Sequence, residues 1–233
     1  MWRSEHRGDR LIARKYCASL DFQDDLGCSA KPGNLYDQHM RDDISAFILA
    51  GGKSTRMGSD KAFLTLNGST LLARALDLAR SLTPNVSIVG DVEKFTTYGP
   101  TIPDVFANCG PLAAIHAALL ASSSELNVIL AVDMPRVSLA LLQFLVGQAE
   151  GDPSVYVTVP RTVLGWQPLC AVYRRSCSVA AETALHAGLF KIDRLFDVVP
   201  TKAIPEAELR SAGFSPEIFH NLNTPADLVN TAL

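Results

Sequence analysis

The feature that most constrains the fold is an alternation between short apolar runs and longer amphipathic segments. Apolar runs of strand length occur at 46–49, 86–89, 128–132, 155–159 and 169–173. Segments with helical spacing of apolar residues occur at 69–82, 111–121, 139–149, 177–186 and from 224 onward. This alternation predicts an α/β domain with a mainly parallel sheet. Ligands of such sheets bind at the carboxyl ends of the strands, so the residues that follow Leu49, Val89 and Val132 are the first candidates for a site.

Local signals indicate where some of these elements begin and end. Asn67-Gly68 predicts a turn, and Ser69 is the expected N-cap of the first helix. Pro111 suits the first turn of the helix predicted at 111–121. Gly188 is expected to end the helix predicted at 177–186.

Residues 1–43 differ from the rest of the chain, because they carry many charges of both signs and show little periodicity. Two interpretations stay open: a loosely ordered extension, or a true start at Met40, just before the first strand. In either case we expect the chemistry in a single domain spanning 44–233. Mass spectrometry of the native protein would distinguish the two.

Charge and composition exclude several classes of protein. Acidic residues exceed basic ones by 24 to 21, a formal net charge of −3, which argues against sequence-independent nucleic-acid binding. The five cysteines include no C-x-x-C pair, so we expect reduced thiols rather than disulfides or structural zinc. No apolar run approaches the roughly 18 residues of a membrane span, and the amino terminus has no signal-peptide pattern. We therefore expect a cytoplasmic protein with no membrane partner.

A glycine-rich, basic loop follows the first predicted strand, at 49–61. Its glycines permit a tight turn and close approach to a ligand, and its main-chain N–H groups can bind an anion. Lys53, Arg56 and Lys61 add positive charge, a combination that suits a triphosphate. The loop is not a Walker A motif, because Phe47 occupies the position of the required first glycine, and it lacks the G-x-G-x-x-G fingerprint.

Acidic and amide side chains elsewhere in the chain are further candidates. Asp133 ends a buried apolar run, where Mg²⁺ is a natural partner for its carboxylate. Asp104 can accept hydrogen bonds from a base, a ribose or a cation, although a simple turn explains it equally well. Asn221 and Asn223 precede a Thr-Pro helix start and can reach a phosphate or a metal-bound water. The five histidines show no ligand spacing, and no hydrolytic triad is readable.

Together these motifs resemble the molybdenum cofactor guanylyltransferases, nucleotidyltransferases with a Rossmann-like fold. The resemblance covers about 45–228 and is carried by LAGGKSTRMGSDKAFL at 49–64, Asp104, GPLA at 110–113, VDMP at 132–135, QPL at 167–169 and NLNTP at 221–225. It implies a single three-layer domain of the nucleotide-diphospho-sugar-transferase type. It also implies transfer of GMP from GTP to molybdenum-molybdopterin with release of pyrophosphate, Mg²⁺ as cofactor, and transient contact with proteins that deliver molybdopterin or receive the cofactor.

The resemblance also assigns roles to residues. Leu49, Ala50, Gly51 and Gly52 would hold the guanine nucleotide, and Asp104 would bind GTP. Asp133 would contact the nucleotide and carry Mg²⁺. Lys61 would contact the phosphates and, with Arg56, stabilise the charge that grows on pyrophosphate. Gln167, Asn221 and Asn223 are the candidates for binding the acceptor.

One departure from the family pattern affects the choice of nucleotide. The family often has asparagine at the end of the second strand, where this chain has Val89 followed by Gly90 and Asp91. The loop Leu49-Ala50-Gly51-Gly52 favours GTP, because cytidylyl relatives usually read Leu-Ala-Ala-Gly there. The alternatives are a related nucleotidyltransferase that uses CTP or a different phosphate acceptor, and a non-catalytic GTP-binding accessory protein.

Overall fold

The structure is a computed structural model and describes residues 41–51, 60–106 and 109–222. Within these ranges the strands are β1 (Ile44–Leu49), β2 (Thr65–Leu66), β3 (Ser69–Thr70), β4 (Val86–Val89), β5 (Thr101–Ile102), β6 (Leu126–Ala131), β7 (Val157–Thr162), β8 (Gly165–Trp166), β9 (Cys170–Arg174) and β10 (Thr201–Pro205). The α-helices are α1 (Leu71–Leu82), α2 (Val92–Phe95), α3 (Pro111–Ala121), α4 (Leu139–Glu150), α5 (Cys177–His186), α6 (Asp193–Phe196) and α7 (Glu206–Ser211). Two 3-10 helices span Lys61–Phe63 and Pro216–Phe219.

The main sheet has the strand order β10-β7-β9-β6-β1-β4-β5, and β8 pairs with β7. β1 lies parallel to both β4 and β6, while β9 runs antiparallel to β6 and β7. This mostly parallel arrangement confirms the predicted α/β domain. The reversed direction of β9 was not predicted, because a buried apolar run carries no information about strand direction.

Side chains of β1 alternate between the two faces of the sheet, as the period of a strand requires. Ala46 and Ile48 belong to the hydrophobic cluster under α1 and α4. Phe47 and Leu49 belong to the opposite cluster, which includes residues of α3 and α5. In the described ranges, helices therefore cover both faces of the sheet. Groups from several central strands can reach a ligand together where those strands end, and this end is called the edge below.

The local predictions are confirmed in part. Asn67 and Gly68 both have positive φ and form the tight turn between β2 and β3. Gly188 also has positive φ and follows the end of α5. The predicted N-cap is wrong by one residue: Thr70, whose hydroxyl accepts from Ala73 N at 3.1 Å, caps α1, and Ser69 precedes it in β3.

Boundaries of the later strands also differ from the prediction. The runs predicted at 155–159 and 169–173 form strands at 157–162 and 170–174. The helix predicted from 224 lies outside the described residues. None of the helices in the described ranges is long and apolar enough to cross a membrane.

Candidate active site

The carboxyl ends of β1, β4 and β6 lie level with one another at the centre of the sheet. Leu49 is in register with Val89 on one side and with Ala131 on the other. Beyond the strands, Ala50 N donates to Val89 O at 3.0 Å, and Val132 N donates to Leu49 O at 3.2 Å. The segments that start at 50, 90 and 132 therefore leave the sheet side by side, as the strand pattern predicted.

On the β4 side of this edge, two glycines allow the main chains to approach closely. A Cβ at Gly90 would lie 3.0 Å from the Phe95 ring and 3.4 Å from Gly51 N, so a side chain there would displace α2. A Cβ at Gly51 would lie 3.9 Å from both Gly90 Cα and Asp104 Oδ2. We call the close approach of the Gly51 and Gly90 main chains the glycine crossing. Asp104 follows β5 and faces this crossing. Asp104 is an exposed residue overall, but the partial loss of water around its carboxyl raises its pKa.

On the β6 side, Lys61 meets Asp133. Lys61 lies on the 3-10 helix, and its Nζ is 3.1 Å from Asp133 Oδ2. Their side chains are only 22% and 17% exposed, so the pair places both charges in a partly dehydrated environment. Asp60 fixes the start of this helix, since its Oδ1 accepts from Ala62 N at 3.0 Å.

The main chain brings a further predicted residue to Asp133. Leu222 N donates to Asp133 O at 2.9 Å, which places Asn221 beside the end of β6. Asn221 Oδ1 is buried and has no hydrogen-bond partner among the described residues. A buried amide oxygen of this kind is costly unless a ligand or water donates to it.

Gln167 is held differently. Its Nε2 donates to Thr162 Oγ1 at 3.3 Å and to Gly165 O at 3.4 Å, within the hairpin between β7 and β8. These bonds hold the side chain within the hairpin, and no described contact joins it to Asp133. Of the other predicted residues, Gly52, Arg56 and Asn223 lie outside the described residues.

Asp133 is the described side chain best suited to a hard divalent cation. Its side chain is 17% exposed and lies just beyond the end of β6. The described ranges contain no group of three or more acidic, histidine or cysteine side chains placed to hold a metal. A cation here would take most of its ligands from substrate phosphates and water, which is the pattern typical of Mg²⁺.

The described cysteines have no catalytic features. Cys170 and Cys177 are buried in the sheet and α5, and burial raises the pKa of each thiol to about 12. Cys170 and Cys177 form no disulfide with each other. Buried thiols with raised pKa values are poor nucleophiles.

Sequence reasoning did not identify two residues near the site, Lys94 and Phe95. Lys94 contacts Asp60, and Phe95 packs against Gly90. Both lie on α2, a single turn whose position depends on long-range packing. The Asp91 N-cap, which accepts from Lys94 N at 3.3 Å, was the local signal that α2 begins there.

Comparisons with known proteins agree with this architecture. Residues 46–199 match the family described as the MobA-like NTP transferase domain. A probable molybdenum cofactor guanylyltransferase from Pelotomaculum thermopropionicum is 35% identical over 184 residues, covering 78% of this chain and 88% of that protein. A molybdenum cofactor guanylyltransferase from Desulfosudis oleivorans is 33% identical over 190 residues, covering 80% and 93%.

Solved structures show the same fold. The crystal structure of molybdopterin-guanine dinucleotide biosynthesis protein A from Archaeoglobus fulgidus superposes with a TM-score of 0.71 at 27% identity, covering 81% of this chain and 96% of that chain. The 2-C-methyl-D-erythritol 4-phosphate cytidylyltransferase from Thermus thermophilus superposes with a TM-score of 0.60 at 17% identity, covering 82% and 97%. The second match supports the fold alone.

Proposed function

This chain belongs to the MobA-like NTP transferase family, a nucleotidyltransferase family, and we propose that it transfers GMP from GTP to the phosphate of molybdenum-loaded molybdopterin, releasing pyrophosphate. The observation that carries this proposal is the edge of the sheet that holds both the Gly51–Gly90 crossing with Asp104 and the Lys61–Asp133 pair. The names of the curated relatives supply the substrates.

The nucleotide would occupy the side of the edge formed by β1, β4 and β5. Leu49, Ala50 and Gly51 present main chain there, and the absence of side chains at Gly51 and Gly90 lets a ligand approach the backbone closely. Asp104 would accept hydrogen bonds from donors of the nucleotide. Its raised pKa supports this role, because a donor group would relieve the burial that now disfavours the charged carboxylate.

The phosphates would lie toward Lys61. Its ammonium now neutralises Asp133 and would turn to the triphosphate when GTP binds, leaving Asp133 to hold Mg²⁺. The bound cation would supply charge neutralisation between the two phosphate groups. Lys61, together with Arg56, would stabilise the negative charge that develops on the departing pyrophosphate.

The acceptor needs little activation. A phosphate oxygen is already ionised at neutral pH, so the reaction depends on alignment and charge neutralisation more than on a general base. Asn221 supports binding on the acceptor side, because its buried Oδ1 lacks a donor and lies on the segment bonded to Asp133. Asn223 and Gln167 remain candidates for the same surface.

The test is pyrophosphate release by the purified protein with Mg²⁺ and molybdenum-loaded molybdopterin, comparing GTP, CTP and ATP. Release with GTP alone is the expected result. Release with CTP alone would keep the mechanism and change the product. Binding of GTP without release, with verified acceptor, would favour a different phosphate acceptor or a non-catalytic accessory role.

A further inference from the structure

Lys94 is linked to the helix that carries Lys61. Its Nζ lies 2.8 Å from Asp60 Oδ2, across 34 residues of chain. The other oxygen of the same carboxylate, Oδ1, accepts from Ala62 N and begins the 3-10 helix. One side chain therefore both caps the helix and fastens it to α2.

An aromatic contact fastens the other end of this helix to the same region. The ring of Phe63 lies 5.8 Å from that of Phe95 and 5.7 Å from that of Tyr98. Phe95 in turn packs against Gly90, at the end of β4. Lys61 thus lies between two anchor points, a charged one at Asp60 and an apolar one at Phe63.

The ion pair between Lys94 and Asp60 is suited to orienting the 3-10 helix rather than to raising the free energy of unfolding. Lys94 and Asp60 are 43% and 22% exposed, and exposed ion pairs contribute little to global stability. The aromatic contact fixes where the helix lies, whereas the Asp60 carboxylate fixes the first turn, which begins with Lys61. Loss of the ion pair would leave the aromatic contact of Phe63 in place and free the Asp60 end of this single turn to shift.

We propose that Lys94 is a positioning residue, which acts through Asp60 to aim the Lys61 ammonium at Asp133 and at the incoming phosphates. The proposal rests on the proposed transferase function. It also couples the two halves of the edge, because α2 follows Gly90 on the nucleotide side while Lys61 serves the phosphate side. Small errors in the placement of a catalytic group reduce turnover strongly, so the effect is measurable.

The first experiment compares Lys94→Met with two other variants in the GTP-dependent assay. We expect Lys94→Met to lower kcat about tenfold, with little change in KM for GTP and an unchanged Tm. Lys94→Arg keeps the ion pair and should restore most of the activity. Lys191→Met removes an equal charge from an exposed lysine between α5 and α6, and should behave as wild type. A purely electrostatic attraction of Lys94 for GTP would instead raise KM for GTP in Lys94→Met with kcat unchanged, and would overturn the proposal.

A double-mutant cycle tests whether Lys94 acts through Lys61. In the Lys61→Met background, adding Lys94→Met should cause no further loss, because nothing remains to be aimed. Independent, multiplying losses would overturn the proposal. If Lys94→Met does not fold, Asp60→Asn takes its place, since its amide oxygen can still cap Ala62 N while the ion pair with Lys94 is removed.

A final readout needs no catalysis. The rate of Lys61 acetylation by an amine-reactive reagent, followed by peptide mass spectrometry, should rise several-fold in Lys94→Met and stay unchanged in Lys191→Met. An unchanged labelling rate in Lys94→Met would overturn the positioning role. If wild-type protein releases no pyrophosphate but the labelling rates differ as expected, the transferase proposal fails while Lys94 keeps its structural link to Lys61.

Discussion

Lys61 Nζ lies 3.1 Å from Asp133 Oδ2, although 72 residues separate the two side chains along the chain. Each charge is mostly removed from water, and each is compensated by the other. The pair therefore holds a cation and a carboxylate ready at the end of β6, where a triphosphate and a metal ion would exchange for the internal partner. The first two predictions test its two halves.

Replacing Asp133 with asparagine should reduce pyrophosphate release about 10²- to 10³-fold, because the change removes the carboxylate that would hold Mg²⁺. The side chain keeps its shape, so the protein should stay folded, as measured by circular dichroism. Near-native turnover in this variant would contradict the assignment.

Replacing Lys61 with alanine should cause a loss in the same range, about 10²- to 10³-fold, because the developing charge on pyrophosphate loses a fixed cation. The assay is again GTP-dependent release, with saturating Mg²⁺. Lys202→Ala provides a matched control, since Lys202 Nζ bonds to Gln148 Oε1 at 2.6 Å on the far strand of the sheet. Equal losses in both variants would show that the effect is general rather than local.

Replacing Asp104 with asparagine should raise stability while weakening GTP binding. Burial raises the folded-state pKa of Asp104, so the unfolded chain releases this proton first as the pH rises above about 3.8. The free energy of unfolding therefore falls as the pH rises from that value to the folded-state pKa, and it stays lower at neutral pH. Thermal unfolding at pH 4 and pH 7, with calorimetric titration of GTP, measures both effects. Asp42→Asn, which lies before the start of β1 and away from this edge, should leave GTP binding unchanged; a lower Tm at pH 7 for Asp104→Asn would refute the argument.

Replacing His116 with leucine should reduce the amount by which the free energy of unfolding falls as the pH is lowered. His116 lies on α3, 2% exposed, and its Nδ1 has no hydrogen-bond partner among the described residues. Burial lowers its pKa, so the unfolded chain takes up a proton first as the pH falls below about 6.5, and stability falls with it. Glu182 opposes this shift and His186 reinforces it. Urea unfolding at pH 7 and pH 5 tests the prediction, with the exposed His220→Leu expected to keep the wild-type slope.

Replacing Gly90 with alanine should destabilise the fold by about 1–3 kcal/mol and weaken GTP binding, because the new methyl group would press on the Phe95 ring. Gly147→Ala is the matched control. A Cβ at Gly147 meets nothing within 4 Å, and its place inside α4 predicts a gain of about 0.5–1 kcal/mol. Chemical unfolding of both variants gives opposite signs if the contact with Phe95 is the cause.

Much of the edge could be predicted from local patterns. Apolar runs located β1, β4 and β6, and their shared direction placed Gly51, Gly90 and Asp133 at one end of the sheet. Asp104 follows β5, which no apolar run predicted. The pairing of Lys61 with Asp133 could not be predicted, because it depends on how the 3-10 helix folds back over β6. The ion pair between Lys94 and Asp60 could not be predicted either. It joins α2 to the start of the 3-10 helix, and this long-range packing leaves no periodic pattern in the sequence.

Edge strands were also harder to predict than central ones. β5 has only two residues, and β10 contains Lys202 within its five. Both lie at the borders of the sheet, where one side of the strand has no partner to bury it and apolar runs are not required. Apolar runs are clearest in the central strands, because both faces of those strands are buried.

The reversed direction of β9 has a consequence for how this architecture can vary. Because β9 starts where β6 ends, the turn that contains Val163 and Leu164, 86% and 90% exposed, belongs to a hairpin that borders only one half of the edge. Insertions or deletions in that turn would remodel this border while leaving the glycine crossing beside β4 intact. Changes in the length of that turn can therefore alter the proposed acceptor side of the edge without altering the proposed nucleotide side.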